Sequence, residues 1–456
     1  MARIASNSLA RLLLAANGAL AGLTVDVEDA ASVRAAAALV AEDLMTFYPS
    51  SNSGEPVGIF TPPPDGDYYW WTGGALWSTL LDYRNRTGET KYDDSISQGL
   101  IAQIGPNDNY MPPNWTASMG NDDQAIWALS AITAEEIGFQ EPTQDNPQWL
   151  TLAKNVFDLQ EVDSRRADDG DCKGALRWQI YPSSNGYNYI SSAANILYFN
   201  LASQLAHLTG NTTYEDAAGD AFELLEDIGF ISKNYDVYNG AQADECTSIN
   251  KVQFSYTAAM LLQGSAFMYN HTNGDDDWKE RVDGLVSRTL EVFFPDGVAF
   301  EAACEERDNC NTDMLFYKSL LHRGLSSTIE MAPYTSAKIL PILKSSAKSA
   351  VAQCTGGDNG RLCGFHWSTG KFDGKTGVPQ QMDVLSALAS ILPAGSSVAG
   401  NNSSTNSSGS GSSSGSASSQ NSTSGDAPAG STGTQAVVTL GGMVVVVSHL
   451  LASLLI

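Results

Sequence analysis

The sequence predicts an all-α chain folded as an (α/α)6 barrel, twelve helices with inner and outer ones alternating around a ring. Three observations lead there. Between residues 24 and 392 apolar residues recur at helical spacing almost throughout, and strand-like alternation is scarce. One junction recurs: Arg86-Thr87-Gly88-Glu89-Thr90-Lys91-Tyr92, Leu208-Thr209-Gly210-Asn211-Thr212-Thr213-Tyr214, and His271-Thr272-Asn273-Gly274 through Trp278. Each stops a helix at a glycine C-cap and restarts the next at an aromatic. Ile137-Gly138-Phe139 through Trp149 is a longer version, and the restarting aromatics at 92, 149, 214 and 278 lie 57, 65 and 64 residues apart. Such a period is one helical hairpin with its loops. An even set of helices without capping repeats favours a closed ring over an open solenoid.

In chain order, residues 1–21 read as a secretion signal. Arg3 and Arg11 give a basic start, Leu12 to Leu20 is apolar, and Ala19-Leu20-Ala21 is a small-x-small cleavage pattern. The folded part, residues 24–392, holds candidate helices beginning near Ser32, Trp71, Tyr92, Asn121, Pro147, Ser191, Tyr214, Lys251, Asp277, Thr312, Thr335 and Val378. Gly229 to Tyr238 and Asp296 to Ala302 are at most short hairpin pieces. If the helix at Tyr92 is outer, the inner ones start at Trp71, Asn121, Ser191, Lys251, Thr312 and Val378, and their first turns converge on one rim.

The residues around those starts are aromatic and polar: Tyr68-Tyr69-Trp70-Trp71, Tyr110-Met111-Pro112-Pro113-Asn114, Arg177-Trp178-Gln179, Asn185-Gly186-Tyr187-Asn188-Tyr189, Asp244, Asn311-Thr312-Asp313 and Gln380-Gln381. A pyranose needs flat faces for its ring C–H groups and fork-like polar groups for its hydroxyls. The candidate substrate contacts are therefore Trp70, Trp71, Tyr110, Asn121, Gln124, Arg177, Trp178, Tyr187, Asn188, Asp244, Asp313 and Gln380.

Within this rim, Gly120-Asn121-Asp122-Asp123-Gln124 opens the apolar run Ala125-Ile126-Trp127-Ala128-Leu129. Asn121 reads as an N-cap with Gln124 as its capping-box partner, and Asp122 and Asp123 fall in the first turn, where the helix dipole favours carboxylates. In isolation the pentapeptide is a capping sequence. At the mouth of a sugar-lined cleft, the two carboxyls can lean together at roughly the 5–5.5 Å separation a retaining glycosidase uses. One would attack the anomeric carbon while the other protonates the leaving oxygen. The second needs a raised pKa, supplied by its charged neighbour and by burial among Trp70, Trp71 and Trp127. No G-x-S-x-G motif competes, and the five histidines show no ligand spacing. Asp168-Asp169-Gly170-Asp171 and Asp275-Asp276-Asp277 lack the rest of a calcium loop, so no metal or other cofactor is expected.

Lys and Arg number 25 against 51 for Asp and Glu, a formal charge of −26. That balance argues against nucleic acid and anionic lipid as partners and leads to an expected optimum at mildly acidic pH. Six cysteines allow 15 pairings and the sequence does not choose among them; the short separations favour Cys304–Cys310 and Cys354–Cys363, leaving Cys172 with Cys246. Sequons at Asn85, Asn114, Asn211 and Asn270 agree with secretion. Residues 393–425 form a Ser/Gly/Asn-rich linker of stalk composition. Ala436 to Ile456 is then apolar to the last residue, and small residues at Ser424-Gly425-Asp426 precede it. This is the layout of a glycosylphosphatidylinositol-anchor propeptide over 426–456, so contact with a membrane is expected through the lipid anchor only, and the protein is expected to be a monomer.

Taken together, Tyr68 to Trp71, Asn109 to Asn114, Gly120 to Gln124, Leu176 to Gln179, Asn185 to Tyr189, Cys310 to Asp313 and Gly377 to Gln381 resemble glycoside hydrolase family 76. The closer likeness is to its fungal cell-wall branch of lipid-anchored, endo-α-1,6-mannosidase-like proteins. The resemblance implies an (α/α)6 barrel and retaining attack on α-1,6-mannosidic bonds, with Asp122 as nucleophile and Asp123 as general acid/base. For the cell-wall branch it also implies transfer of glycans of anchored glycoproteins onto wall polysaccharide, with β-glucan a possible acceptor. The chain departs from the branch at Ile190-Ser191-Ser192, where the branch carries Lys-Asn-Ser, and at Met314, where it carries Gln. A non-catalytic, lectin-like wall protein on the same barrel is the competing expectation. An epimerase on this fold would want a His pair, which the sequence does not offer, and a lyase would want a Tyr or His base beside a uronate-binding basic patch.

Overall fold

The computed structural model describes residues 22–395 apart from 50–53, 55 and 245. The expected signal peptide, the linker beyond residue 395 and the anchor segment lie outside the described residues. Twelve α-helices are described: α1 (Ala30–Met45), α2 (Trp71–Thr87), α3 (Asp93–Ala102), α4 (Asn121–Glu136), α5 (Trp149–Gln160), α6 (Ser192–Thr209), α7 (Thr212–Ile228), α8 (Ser255–His271), α9 (Asp276–Phe293), α10 (Tyr317–Met331), α11 (Ser336–Ala352) and α12 (Val378–Ala389). The even-numbered helices pack in sequence, α2 on α4 through to α12, and α12 returns to α2. Each later odd-numbered helix backs the inner helix before it, and α1 backs α12. The fold is an (α/α)6 barrel.

The two rings differ because their sequences do. From Ser192 to Ala206 every residue of α6 is buried, as befits a helix surrounded by others. In α9 only a stripe is buried, Trp278, Val282, Leu285, Val286, Thr289 and Phe293, at the spacing of one helical face. Outer and inner helices approach closely where side chains are smallest. A Cβ at Gly99 of α3 would lie 2.2 Å from the Trp77 indole of α2. That indole cannot retreat easily, since its Nε1 donates to the Gly58 carbonyl at 2.8 Å. Gly99→Ala is therefore expected to destabilise the fold by about 1–3 kcal/mol through overpacking, read as a lowered denaturant midpoint.

Most helix starts fall within two residues of the sequence reading. Two inner helices begin later: α8 at Ser255, and α10 at Tyr317 after a 3-10 turn, Met314–Phe316. Gly88 and Gly210 close α2 and α6 in the left-handed conformation, with φ of 77° and 65°. The third junction differs from expectation. Thr272 caps α8 and Asn273 takes the left-handed turn at φ 57°, because asparagine tolerates that region. Gly229 to Tyr238 holds one bridge, Ile231 to Val237, and Asp296 to Ala302 holds no strand. The antiparallel strands β1 (Tyr189–Ser191) and β2 (Gly240–Gln242) are too short to show alternation in the sequence.

The disulfides are Cys172–Cys246, Cys304–Cys310 and Cys354–Cys363, the pairing favoured by separation. At the far mouth of the barrel, Arg86 Nη1 donates to the Leu392 carbonyl at 2.8 Å and the Gly395 N–H to Asn85 Oδ1 at 3.2 Å. The last described residues are thus fastened to the C-terminal end of α2, away from the mouth where the inner helices begin. Among the described residues no helix is long and apolar enough to cross a membrane.

Candidate active site

The start of α4 is built differently from its sequence reading. Gly120 is the N-cap, and its N–H donates to Asp123 Oδ2 at 2.7 Å, so Asp123 closes the capping box in place of Gln124. Asn121 is in the helix, and its side chain is drawn sideways: Nδ2 donates to the Arg177 carbonyl at 2.8 Å, and Oδ1 accepts from Arg165 Nη1 at 2.5 Å. Gln124 accepts from the same Arg165 nitrogen at 2.9 Å and donates to the Asn109 carbonyl at 2.7 Å. A Cβ at Gly120 would sit 2.3 Å from Asp122 Oδ1, so only glycine lets that carboxylate fold back over the helix start. The Asn121 N–H donates to the Trp178 carbonyl at 2.9 Å, which laces the loop before α6 onto this turn.

A cavity of about 560 Å³ opens where the inner helices begin. Asp122 and Asp123 line it from α4, Trp70 and Trp71 from the start of α2, Trp178, Gln179, Tyr189 and Ser191 from the segment before α6, Phe254 and Tyr256 from the start of α8, and Asp313 and Tyr317 from the start of α10. Trp115 and Asn239 also line it. Trp71 Nε1 donates to Asp313 Oδ1 at 2.9 Å, and the Tyr256 and Tyr317 rings lie 4.2 Å apart.

Burial dominates the electrostatics. It pushes Asp122 up, against the Asp123 N–H and the Trp178 indole, which favour the charged form; Asp313 adds to the rise. Asp123 is pushed up as well, by burial first and then by the charges of Asp122 and Asp313, with only the Gly120 N–H in opposition. Asp313 is raised by burial and partly relieved by Trp71. Tyr256 is held well above its ordinary range by burial and by the three carboxylates, and Tyr317 by burial and its neighbours, so both remain hydroxyl donors. The site thus offers two buried acids held by different donors, neutral donors and flat aromatic walls.

The raised carboxyl pKa values carry a stability cost. Folded Asp122 and Asp123 retain protons that the unfolded chain has released, so their contribution to stability falls as pH rises from the ordinary carboxylate range through the raised values. An Asp122→Asn/Asp123→Asn double variant is expected to melt about 2–4 °C above the wild type near neutral pH. The gain should vanish at about pH 4, as scanning calorimetry across pH would show.

Of the sequence candidates, the fold brings Trp70, Trp71, Trp178 and Asp313 together with the acid pair. The others lie outside the cavity lining. Tyr110 is fully buried against Trp127, and Asn121 and Gln124 are spent on the network beneath the helix start. Arg177 pairs with Asp168 at 3.0 Å and covers the Tyr187 ring at 4.6 Å. Asn188 and Asp244 are exposed, and Gln380 is buried in the first turn of α12. Trp127 has no exposed surface and acts through Trp70, on which it stacks at 5.0 Å. Tyr256, Tyr317 and Phe254 were not singled out from sequence. Helix starts at Ser255 and Tyr317 point to them: α10 begins on Tyr317 as α2 begins on Trp71, and the first residue of α8 is flanked by Phe254 and Tyr256. Of the departures from the branch pattern, Ser191 lines the cavity, whereas Met314 packs against the core.

The model of glycosyl hydrolase family 76 matches residues 32–402. The chain is 38% identical over 368 residues to mannan endo-1,6-alpha-mannosidase DCW1 of Saccharomyces cerevisiae, covering 80% of each protein. It is similar to the crystal structure of Dfg5 from Chaetomium thermophilum in complex with glucosamine, with TM-score 0.78 and 44% identity over 80% of this chain and 91% of that one. The GH76A alpha-1,6-mannanase of Salegentibacter sp. HEL1_6 shares the fold, with TM-score 0.62 at 15% identity over 80% of this chain and 99% of that one.

Proposed function

The chain belongs to glycosyl hydrolase family 76, and from that premise we propose that it is a retaining endo-α-1,6-mannosidase that can pass the cleaved glycan to a sugar acceptor. The observation that carries this reading is the acid pair of α4, set side by side in an aromatic-walled cavity and both raised by burial. Asp122 is the nucleophile: the Asp123 N–H, at 3.0 Å from its Oδ1, and the Trp178 indole hold its negative charge. Asp123, raised by burial and by the charge of Asp122 and opposed only by the Gly120 N–H, is the general acid.

In the first step an Asp122 oxygen bonds to the anomeric carbon of one mannose as the bond to the O6 of the next breaks. The Asp123 proton goes to that O6. In the second step Asp123 takes a proton from an incoming hydroxyl, whose oxygen displaces Asp122 from the anomeric carbon. Water as the incoming group gives hydrolysis, and a β-glucan hydroxyl gives transfer. Trp71 and Trp178 offer faces to the ring C–H groups, and Tyr256 and Tyr317 donate to its hydroxyls. The segments at both ends of the sequence support an address at the outer cell surface through a lipid anchor, with a role in cell-wall assembly.

The test supplies linear α-1,6-mannan carrying a label, with and without β-glucan. Labelled short mannosides are expected without acceptor, and label in the glucan with it. Intact mannan under both conditions would refute the enzyme reading, and cleavage with no label in glucan would reduce the activity to hydrolysis.

A further inference from the structure

Helix α8 enters the cavity side of the barrel without a cap of its own. Phe254 stands at its N-cap and offers no side-chain acceptor. The missing acceptor comes from Glu301, 46 residues further on: its Oε1 and Oε2 each lie 3.3 Å from the Ser255 N–H, and Oε2 also meets the Ser255 hydroxyl. Glu301 is completely buried. Burial raises its pKa to about 8, against the Ser255 hydroxyl and N–H and the Lys318 charge, so near neutral pH it caps α8 largely as a neutral acid, accepting from Ser255 as an amide in its place would.

The residue that follows Ser255 is Tyr256, which lines the cavity with its ring 4.2 Å from that of Tyr317. The loop that supplies Glu301 is itself anchored. The Glu301 N–H donates to Glu305 Oε2 at 2.9 Å, and that same oxygen pairs with Lys318 Nζ at 2.8 Å, directly after Tyr317. Lys318 donates in turn to the Phe365 carbonyl at 2.7 Å. Beyond the Cys304–Cys310 disulfide the same stretch delivers Asp313 into the cavity. One loop therefore contributes an acid to the site and grips the helix turn that carries Tyr256.

We infer that Glu301 is a positioning residue of this site: by capping α8 through Ser255 it sets the direction in which the Tyr256 hydroxyl meets the sugar bound over Asp122 and Asp123. The inference rests on the proposed catalytic role of that pair, which wild-type turnover of α-1,6-mannan tests without reference to Glu301. Its own test is a double-mutant cycle read in kcat and in affinity for α-1,6-mannotriose. Glu301→Ala and Ser255→Ala are each expected to lower kcat about tenfold or more, since small misplacements of a contacting group are expensive. Neither should lower it further in a Tyr256→Phe background, where the hydroxyl being aimed is gone. Glu301→Gln, which retains an acceptor for the Ser255 N–H, should return kcat to within about threefold of the wild type. Undiminished losses in the Tyr256→Phe background would overturn the inference, as would wild-type kcat and affinity in folded Glu301→Ala or Ser255→Ala. If Glu301→Ala does not fold, the Ser255→Ala cycle decides alone.

Discussion

Replacing Asp122 or Asp123 by Asn is expected to lower kcat on α-1,6-mannan by about 10³-fold or more while leaving the fold intact. The amide keeps the shape of each carboxyl. In the Asp123→Asn variant the side-chain oxygen can still accept from the Gly120 N–H, so the capping box that Asp123 now closes survives. Chemistry does not survive, because an amide neither attacks an anomeric carbon nor exchanges a proton with the leaving oxygen. The two losses should differ in kind. With Asp122→Gly, azide in the buffer would attack the substrate directly and give an inverted mannosyl azide. With Asp123→Gly, azide would intercept the glycosyl-enzyme and give a retained one. The pH profile separates the roles as well: kcat/KM should rise as Asp122 ionises and fall as Asp123 loses its proton. Both limbs should lie above the range of exposed carboxylates, because burial raises both groups. The mildly acidic optimum suggested by overall charge would then be displaced upward by the local environment.

Arg165→Ala is the second large effect, a loss of about 3–5 kcal/mol in stability together with activity. Arg165 is almost completely buried, and burial lowers its pKa to about 10, which leaves it charged at neutral pH. Its Nη1 serves Asn121 and Gln124 at once, and its Nη2 contacts the Met111 sulfur at 3.2 Å. Truncation would leave the two amide oxygens unpaired beneath the first turn of α4, the turn that aims the acid pair. Arg165→Lys should recover little, because a single ammonium cannot reproduce the guanidinium fork. Denaturant midpoints of both variants, measured beside kcat, check this.

The ring of helices was legible because its punctuation is local. Gly88 and Gly210 take the left-handed turn that a helix end asks for, and the aromatics at 92, 149, 214 and 278 fill the outer-helix stripes that follow. The acid pair was legible for the same reason, being a first-turn feature. What the sequence could not display is how side chains are shared between loops. Asn121 looks like a cap but is engaged by Arg177 and Arg165, residues 56 and 44 positions away. Tyr110 and Trp178 are both aromatic rim residues in sequence, yet the fold buries the first completely and leaves the second 38% exposed at the cavity. Tyr256 and Tyr317 were hidden by a small error in where two helices begin. Glu301 acts over 46 residues, a distance at which no periodicity speaks.

The most direct measurement is to trap the enzyme with a fluorinated α-1,6-mannobiosyl donor that forms the glycosyl-enzyme quickly and releases it slowly, and then to sequence the labelled peptide by mass spectrometry. The expected result is one sugar adduct, on the Asp122 carboxyl, with Asp123 unmodified and the product of slow turnover retaining the α configuration. A label on any other side chain, or a product of inverted configuration, would contradict the assignment of nucleophile and acid on α4.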